Sequence, residues 1–183
     1  MAPFENLGFR KITDEEIARF DNIRQGNDVG YADDPLAFVR WHYDKKKRVI
    51  YAIDEIYGVK ISNRELAERI REKGYQSQMI TCDSAEPKSI DELKLQLNIP
   101  LVQGAKKGPD SREYGERWLD DLDAIVIDPE RTPNIAREFE SADYAVDRDG
   151  NPKPKLEEVN DHTIDATRYA FEDDMRQPGI SFW

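Results

Sequence analysis

The chain has 183 residues, 38% hydrophobic and 36% charged, enough for one domain with a core of its own. Its 27 Lys and Arg against 38 Asp and Glu leave a formal charge of −11, which argues against a stand-alone DNA-binding module but not against an enzyme whose carboxylates are neutralised by cations. A single cysteine, Cys82, excludes an internal disulfide and fits a reducing compartment, and no bilayer-length apolar run or signal peptide is present.

Residues 1–12 read as a lead-in, and Met1-Ala2-Pro3 as an ordinary start or the trimmed edge of a longer polypeptide. Thr13-Asp14-Glu15-Glu16 resembles a capping box opening a short helix through Phe20. Three strand-like segments follow, Ile23–Val29, 36–43 and 48–56, the last two rich in aromatic and β-branched residues. Asp44-Lys45-Lys46-Lys47 is a polar turn between them, so the opening is a three-strand antiparallel meander. The pattern then alternates. Helices are expected at Ser62–Lys73, Ser89–Leu97, Ser111–Leu119 and Asn134–Ser141, with strands at Ser77–Cys82, 100–105 and Ala124–Ile127. Asp147-Arg148-Asp149-Gly150-Asn151 is a turn signal inside residues 144–157, which predicts a protruding β-hairpin. A last helix starts near Asn160 or Asp161 and stops at Pro178-Gly179. Meander followed by alternation predicts an α/β fold, a mixed central sheet with helices on both faces.

Three aspartates carry the chemistry. Asp28 ends the first strand between Gly26 and Gly30, which let the backbone turn and leave room beside the carboxylate; an ordinary turn aspartate is the alternative. Asp83 closes another strand, at the lip of an α/β sheet where ligands bind; capping of the next helix by Asp83 or Ser84 is the alternative. Asp165 lies in the last helix, three residues from His162 and four from Asp161, so the three can share a face. Oxygen donors of this kind suit Mg²⁺ or Mn²⁺, and a pair of such ions is a recurring device for cutting phosphodiesters. Asp161 reads as an N-cap rather than a ligand, and Asp33-Asp34-Pro35 as a turn. Glu86 could support the metal-binding carboxylates from behind, but it reads first as a first-turn acid that favours the helix dipole. Lys106-Lys107-Gly108-Pro109 is a basic loop that could touch a phosphate backbone, though a solvated loop serves as well. Cys82 reads as a small buried side chain, His42 as structural, and Trp41, Trp118 and Trp183 as packing residues.

Four segments in series resemble the C-terminal nuclease domain of the large terminase subunit of tailed bacteriophages, most closely the Bacillus siphophage type. They are Gly26-Asn27-Asp28-Val29-Gly30-Tyr31-Ala32-Asp33-Asp34-Pro35, Cys82-Asp83-Ser84-Ala85-Glu86-Pro87-Lys88-Ser89-Ile90, Ala105-Lys106-Lys107-Gly108-Pro109 and Asp161-His162-Thr163-Ile164-Asp165-Ala166-Thr167-Arg168-Tyr169-Ala170. The resemblance implies an RNase H-like fold across one nuclease domain, residues 1–183, and an endonuclease that cuts concatemeric double-stranded DNA during genome packaging with low sequence specificity. It implies catalytic roles for Asp28, Asp83, Asp165 and His162. The three aspartates would hold two Mg²⁺ or Mn²⁺ ions, and His162 would sit beside the Asp165 ion. The implied partners are DNA, the terminase ATPase domain, the small terminase subunit and the portal protein, with no membrane, in the cytoplasm of the infected host. The ATPase motor domain of complete subunits is absent from this sequence, which looks like an excised domain. Another RNase H-like nuclease, such as a junction resolvase or RNase H, is the alternative within the class; a non-catalytic docking domain of a packaging complex is the alternative outside it.

Overall fold

Aromatic and β-branched residues build the centre of the sheet. Strands β2 (Ile23–Asp28), β3 (Pro35–Asp44) and β4 (Val49–Val59) form the antiparallel meander. In β3, Leu36 to Val39 are buried on both faces, so this strand reads as a near-continuous apolar run and not as an alternation. The structure, a computed structural model, describes residues 3–30, 33–106, 108 and 110–176. The expected helix stop at Pro178-Gly179, the packing role of Trp183, and Tyr31, Ala32, Lys107 and Pro109 lie outside them.

Parallel strands extend the meander on both sides. On one flank β5 (Ile80–Cys82) pairs with β2 and β6 (Val102–Gly104) with β5; on the other, β7 (Ala124–Ile127) pairs with β4. The sheet order is β1-β7-β4-β3-β2-β5-β6. Its first member corrects the lead-in reading: β1 (Leu7–Phe9) is an edge strand parallel to β7, and Phe4 and Ile12 are buried. Three residues are too few to show a strand period, and the partner that makes them a strand lies far along the chain.

Helices cover both faces. On one side, α4 (Ser111–Asp120), α5 (Pro133–Ser141) and α6 (His162–Ala170) enclose a core containing Trp41, Ile50, Ile125, Phe139, Ile164 and Phe171. On the other, α2 (Asn63–Glu72) and the segment from α3 (Pro87–Asp91) into a π turn (Glu92–Gln96) pack over Phe38, Ile56, Ile80, Cys82 and Val102. The expected helix at Ser89–Leu97 is thus a short α-helix running into a π turn. The strand expected at Ser77–Cys82 is confined to Ile80–Cys82, with Ser77 ending a 3₁₀ turn over Tyr75–Ser77. The short helix α1 (Asp14–Ala18) has the expected capping box between Thr13 and Glu16. Strands β8 (Tyr144–Val146) and β9 (Pro152–Leu156) pair only with each other, as a hairpin, and α7 (Glu172–Met175) follows α6. No helix among the described residues is long and apolar enough to cross a membrane.

Candidate metal centre

Register brings the first two aspartates together. Strands β2 and β5 run parallel with Gly26 opposite Thr81 and Asn27 opposite Cys82. The next residue on each strand is an aspartate, so Asp28 and Asp83 leave the sheet side by side, about one strand spacing of ~4.8 Å apart in the backbone. The Asp83 amide extends that ladder by donating to the Asn27 carbonyl at 3.2 Å. Its carboxylate accepts from the Ala85 amide at 3.0 Å, a local turn rather than a helix cap. Helix α6 crosses this edge and contributes Asp165. Asp28, Asp83 and Asp165 all line one cavity of about 470 Å³, together with Asp161, His162 and Lys106.

The site is electrostatically loaded. Burial raises the Asp28 carboxyl above its ordinary range, and the negative charges of Asp165 and Asp83 push the same way. His162 opposes them, with Nδ1 3.4 Å from Asp28 Oδ2. That contact, ahead of other nearby acids and against burial, raises the imidazole to about 9. Asp161 is also raised, by burial and then by Asp165. Fixed cations balance the cluster from behind: Arg168 Nη2 lies 2.6 Å from Asp165 Oδ1, and Arg112 Nη2 lies 3.4 Å from Asp161 Oδ2. Among the described residues no three His, Cys, Asp or Glu side chains form a ready-made metal shell. Like charges repel and each acid has another partner, so the carboxylates stand apart around a shared space. The donor set fits a hard divalent cation: all-oxygen, anionic and half-buried.

Helix α6 is held by interactions that sequence reading missed. Its N-terminus is capped from another helix: the fully buried Glu138 of α5 accepts from the Thr163 amide and hydroxyl, both at 2.6 Å, and from the Tyr57 hydroxyl at 2.7 Å. Asp161 occupies the N-cap position as expected, but its side chain makes no capping bond and turns to Arg112. Trp41 Nε1 donates to Thr167 Oγ1 at 3.0 Å, fixing the helix over β3. Both flanking glycines admit close backbone approach. A Cβ on Gly26 would meet the Ala166 carbonyl oxygen at 1.9 Å, so this glycine lets α6 lie directly on β2. A Cβ on Gly30 would meet the Asp34 carbonyl oxygen at 2.3 Å, so it allows the β2–β3 connection to close on itself.

Other expected residues divide. His162 faces Asp28 through its Nδ1. Asp34, expected as turn chemistry, lines the cavity, as does Lys106, whose amide donates to both Glu172 carboxylate oxygens at 2.8 and 2.9 Å. Glu86 is the N-cap residue of α3 without a side-chain cap and is absent from the cavity wall. His42 is structural: it stacks on Phe20 at 4.4 Å and accepts from the Asn22 amide. Trp41 and Trp118 are packing residues, and Cys82 is buried with its thiol pushed up to about 12 by that burial. Arg112, Arg168, Glu138 and Glu172 gave no sequence signal, because a lone Arg or Glu in an amphipathic helix looks solvated until its tertiary partner is known.

A mixed sheet covered on both faces, with acids at two adjacent strand ends and on one crossing helix, defines the RNase H-like class. Within it the chain belongs to the family described as the terminase RNase H-like domain, whose model matches residues 28–173. It is similar to the large terminase subunit of Bacillus phage SPP1, 62% identical over 185 residues, covering 100% of this chain and 44% of that protein. It is also similar to the PBSX phage terminase large subunit of Bacillus subtilis strain 168, 33% identical over 151 residues, covering 82% of this chain and 34% of that one. The chain therefore spans less than half of either relative. The crystal structure of the SPP1 large terminase nuclease domain with bound Mn superposes with a TM-score of 0.93 at 63% identity, covering 95% of this chain and 99% of that one.

Proposed function

We propose that this domain is a divalent-metal-dependent endonuclease that cuts double-stranded DNA during viral genome packaging. The observation that carries the reading is the convergence of Asp28, Asp83 and Asp165 on one cavity in a member of the terminase RNase H-like family. Bound Mn in the SPP1 nuclease domain supports Mn²⁺ or Mg²⁺ as the ion. Asp28, one residue beyond the β2–β5 pairing that sets Asp83 beside it, would be shared by both ions, with Asp83 and Asp165 each holding one. Ions held there would lower the pKa of an attacking water and stabilise the leaving 3′-oxygen. His162 orients Asp28 and holds a proton at Nδ1 beside it. Lys106 supplies a positive charge on the cavity wall for a flanking phosphate.

Concatemers are the proposed substrate, the host cytoplasm the proposed setting, and an ATPase domain, a small terminase subunit and a portal protein the proposed partners. Purified domain is expected to nick and cut plasmid DNA with Mn²⁺ or Mg²⁺ and little sequence preference. Asp28→Asn, Asp83→Asn and Asp165→Asn should each abolish cutting while leaving the circular dichroism spectrum unchanged; retained cutting by any one removes that residue from the site. A panel of linear duplex, four-way junction and RNA–DNA hybrid separates this reading from a resolvase or RNase H.

A further inference from the structure

Glu172 is a buried carboxylate whose bonds go to the backbone of the basic loop. It is 6% exposed, it lines the cavity, and both of its oxygens accept from one amide, that of Lys106, at 2.8 and 2.9 Å. Burying a carboxylate is costly unless it is well bonded, and here the bonds fix a single peptide. That peptide sits where the sheet ends. β6 is the edge strand, and the Ala105 amide continues its ladder to β5 by donating to the Cys82 carbonyl at 2.7 Å. The Lys106 amide lies one residue further on and is taken by α7 instead. Helix α7 is itself held firmly. The Arg24 guanidinium grips Asp174 through two bonds of 2.7 and 2.9 Å, the Tyr114 hydroxyl donates to the Met175 carbonyl at 3.1 Å, and the Met175 side chain is buried. Lys106 is exposed and lines the same cavity as the three aspartates.

Resting on the nuclease reading above, we propose that Glu172 is a positioning residue for DNA: it anchors the Lys106 backbone so that the lysine ammonium forms a seat for one phosphate of the duplex. Lysine carries a point charge on a flexible four-carbon stem, so the place of its backbone decides where that charge can reach. The sign of the effect makes the assignment sharp. Removing an acid beside a DNA-binding cavity should, by charge alone, tighten the hold on a polyanion. Removing an anchor should loosen it. Only the anchoring role therefore predicts weaker DNA binding when this negative charge is deleted.

The test measures kcat and KM for cleavage of a short DNA duplex in Mn²⁺ over a range of salt concentrations. It compares wild type, Lys106→Ala, Glu172→Ala, Glu172→Gln and the double variant Lys106→Ala with Glu172→Ala. One phosphate contact contributes about 0.9 to the slope of log affinity against log salt, which at ~0.1 M salt is on the order of eightfold. Lys106→Ala is expected to raise KM by about that factor, well beyond any fall in kcat, and to lower the salt slope by about 0.9. Glu172→Ala should move KM and slope in the same direction, and the double variant should be no worse than Lys106→Ala. Glu172→Gln keeps an acceptor for the amide and loses the charge, so its KM should lie at or below that of wild type. A purely structural loss would lower the melting temperature and leave the salt slope alone. Glu172→Ala with a KM at or below wild type overturns the proposal, as does an unchanged slope in Lys106→Ala or a Glu172→Gln as damaging as Glu172→Ala. If Glu172→Ala does not fold, Glu172→Asp decides, because it keeps the charge and shortens the reach by one methylene: a raised KM with a lower slope supports the anchor, and wild-type values overturn it. A wild-type domain that cuts no DNA overturns the nuclease reading as well, whereas wild-type cutting that is indifferent to both residues overturns this proposal alone.

Discussion

Gly26→Ala is the sharpest test of how the fold assembles the site. The added Cβ would fall 1.9 Å from the Ala166 carbonyl oxygen and 2.9 Å from the Ala170 amide nitrogen, where ordinary contact begins at 3.4 Å. Both neighbours are helix backbone, so no side chain can swing away, and α6 must retreat from β2 by more than an ångström. Overpacking of this kind costs ~1–3 kcal/mol, and a backbone clash belongs at the upper end, about 3 kcal/mol. For a domain of this size that is a fall in melting temperature of roughly 6–12 °C. The retreat also carries Asp165 and His162 away from Asp28, and a displacement of ~1 Å in a catalytic constellation can cost ~10²-fold in rate. Calorimetry and a plasmid-cleavage time course in Mn²⁺ measure the two effects. Gly8→Ala is the control, because its nearest neighbour would be 4.0 Å away. A Gly26→Ala protein that melts within about 2 °C of wild type and cuts at full rate would refute the close packing of α6 on β2 as the device that builds the site.

Three further outcomes follow from the same structure. Glu138→Ala leaves the Thr163 amide and hydroxyl and the Tyr57 hydroxyl without their partner, and breaking a buried charged network of this kind should cost about 3 kcal/mol, read by urea denaturation. Mn²⁺ binds only the folded site, so at a hundredfold excess over its Kd it should add about 2.7 kcal/mol of stability, and the increment should vanish in Asp28→Asn. Cys82 is 1% exposed with its thiol pushed up to about 12. Iodoacetamide at pH 8 should therefore label it only through unfolding, and Mn²⁺ should slow the labelling; fast labelling of the native domain would contradict the burial of β5.

Much of the architecture is readable in the chain because the signals are local. The meander announces itself through aromatic and β-branched runs, β7 through Ala124-Ile125-Val126-Ile127, and α1 through its capping box. The three aspartates are local only as candidates, Asp28 and Asp83 at strand ends and Asp165 in the first turn of α6. β1 was not readable, because a three-residue strand is defined by its partner β7 and not by its own period. The same reason hides Glu138: a buried carboxylate that caps a different helix carries the residue pattern of an exposed one.

Sequence alone determined which groups this protein owns: acids at the ends of two strands and in the first turn of the last helix, a histidine beside one of them, and the alternation that puts helices on both faces. Tertiary structure decided what those groups meet. It set Asp28 beside Asp83 through parallel register, turned His162 to Asp28, gave Asp165 to Arg168, and made Gly26 a contact surface for α6 rather than a hinge. Periodicity and capping are fixed by neighbours a few residues apart, whereas register, close approach and countercharge depend on which distant segments burial of the core brings together.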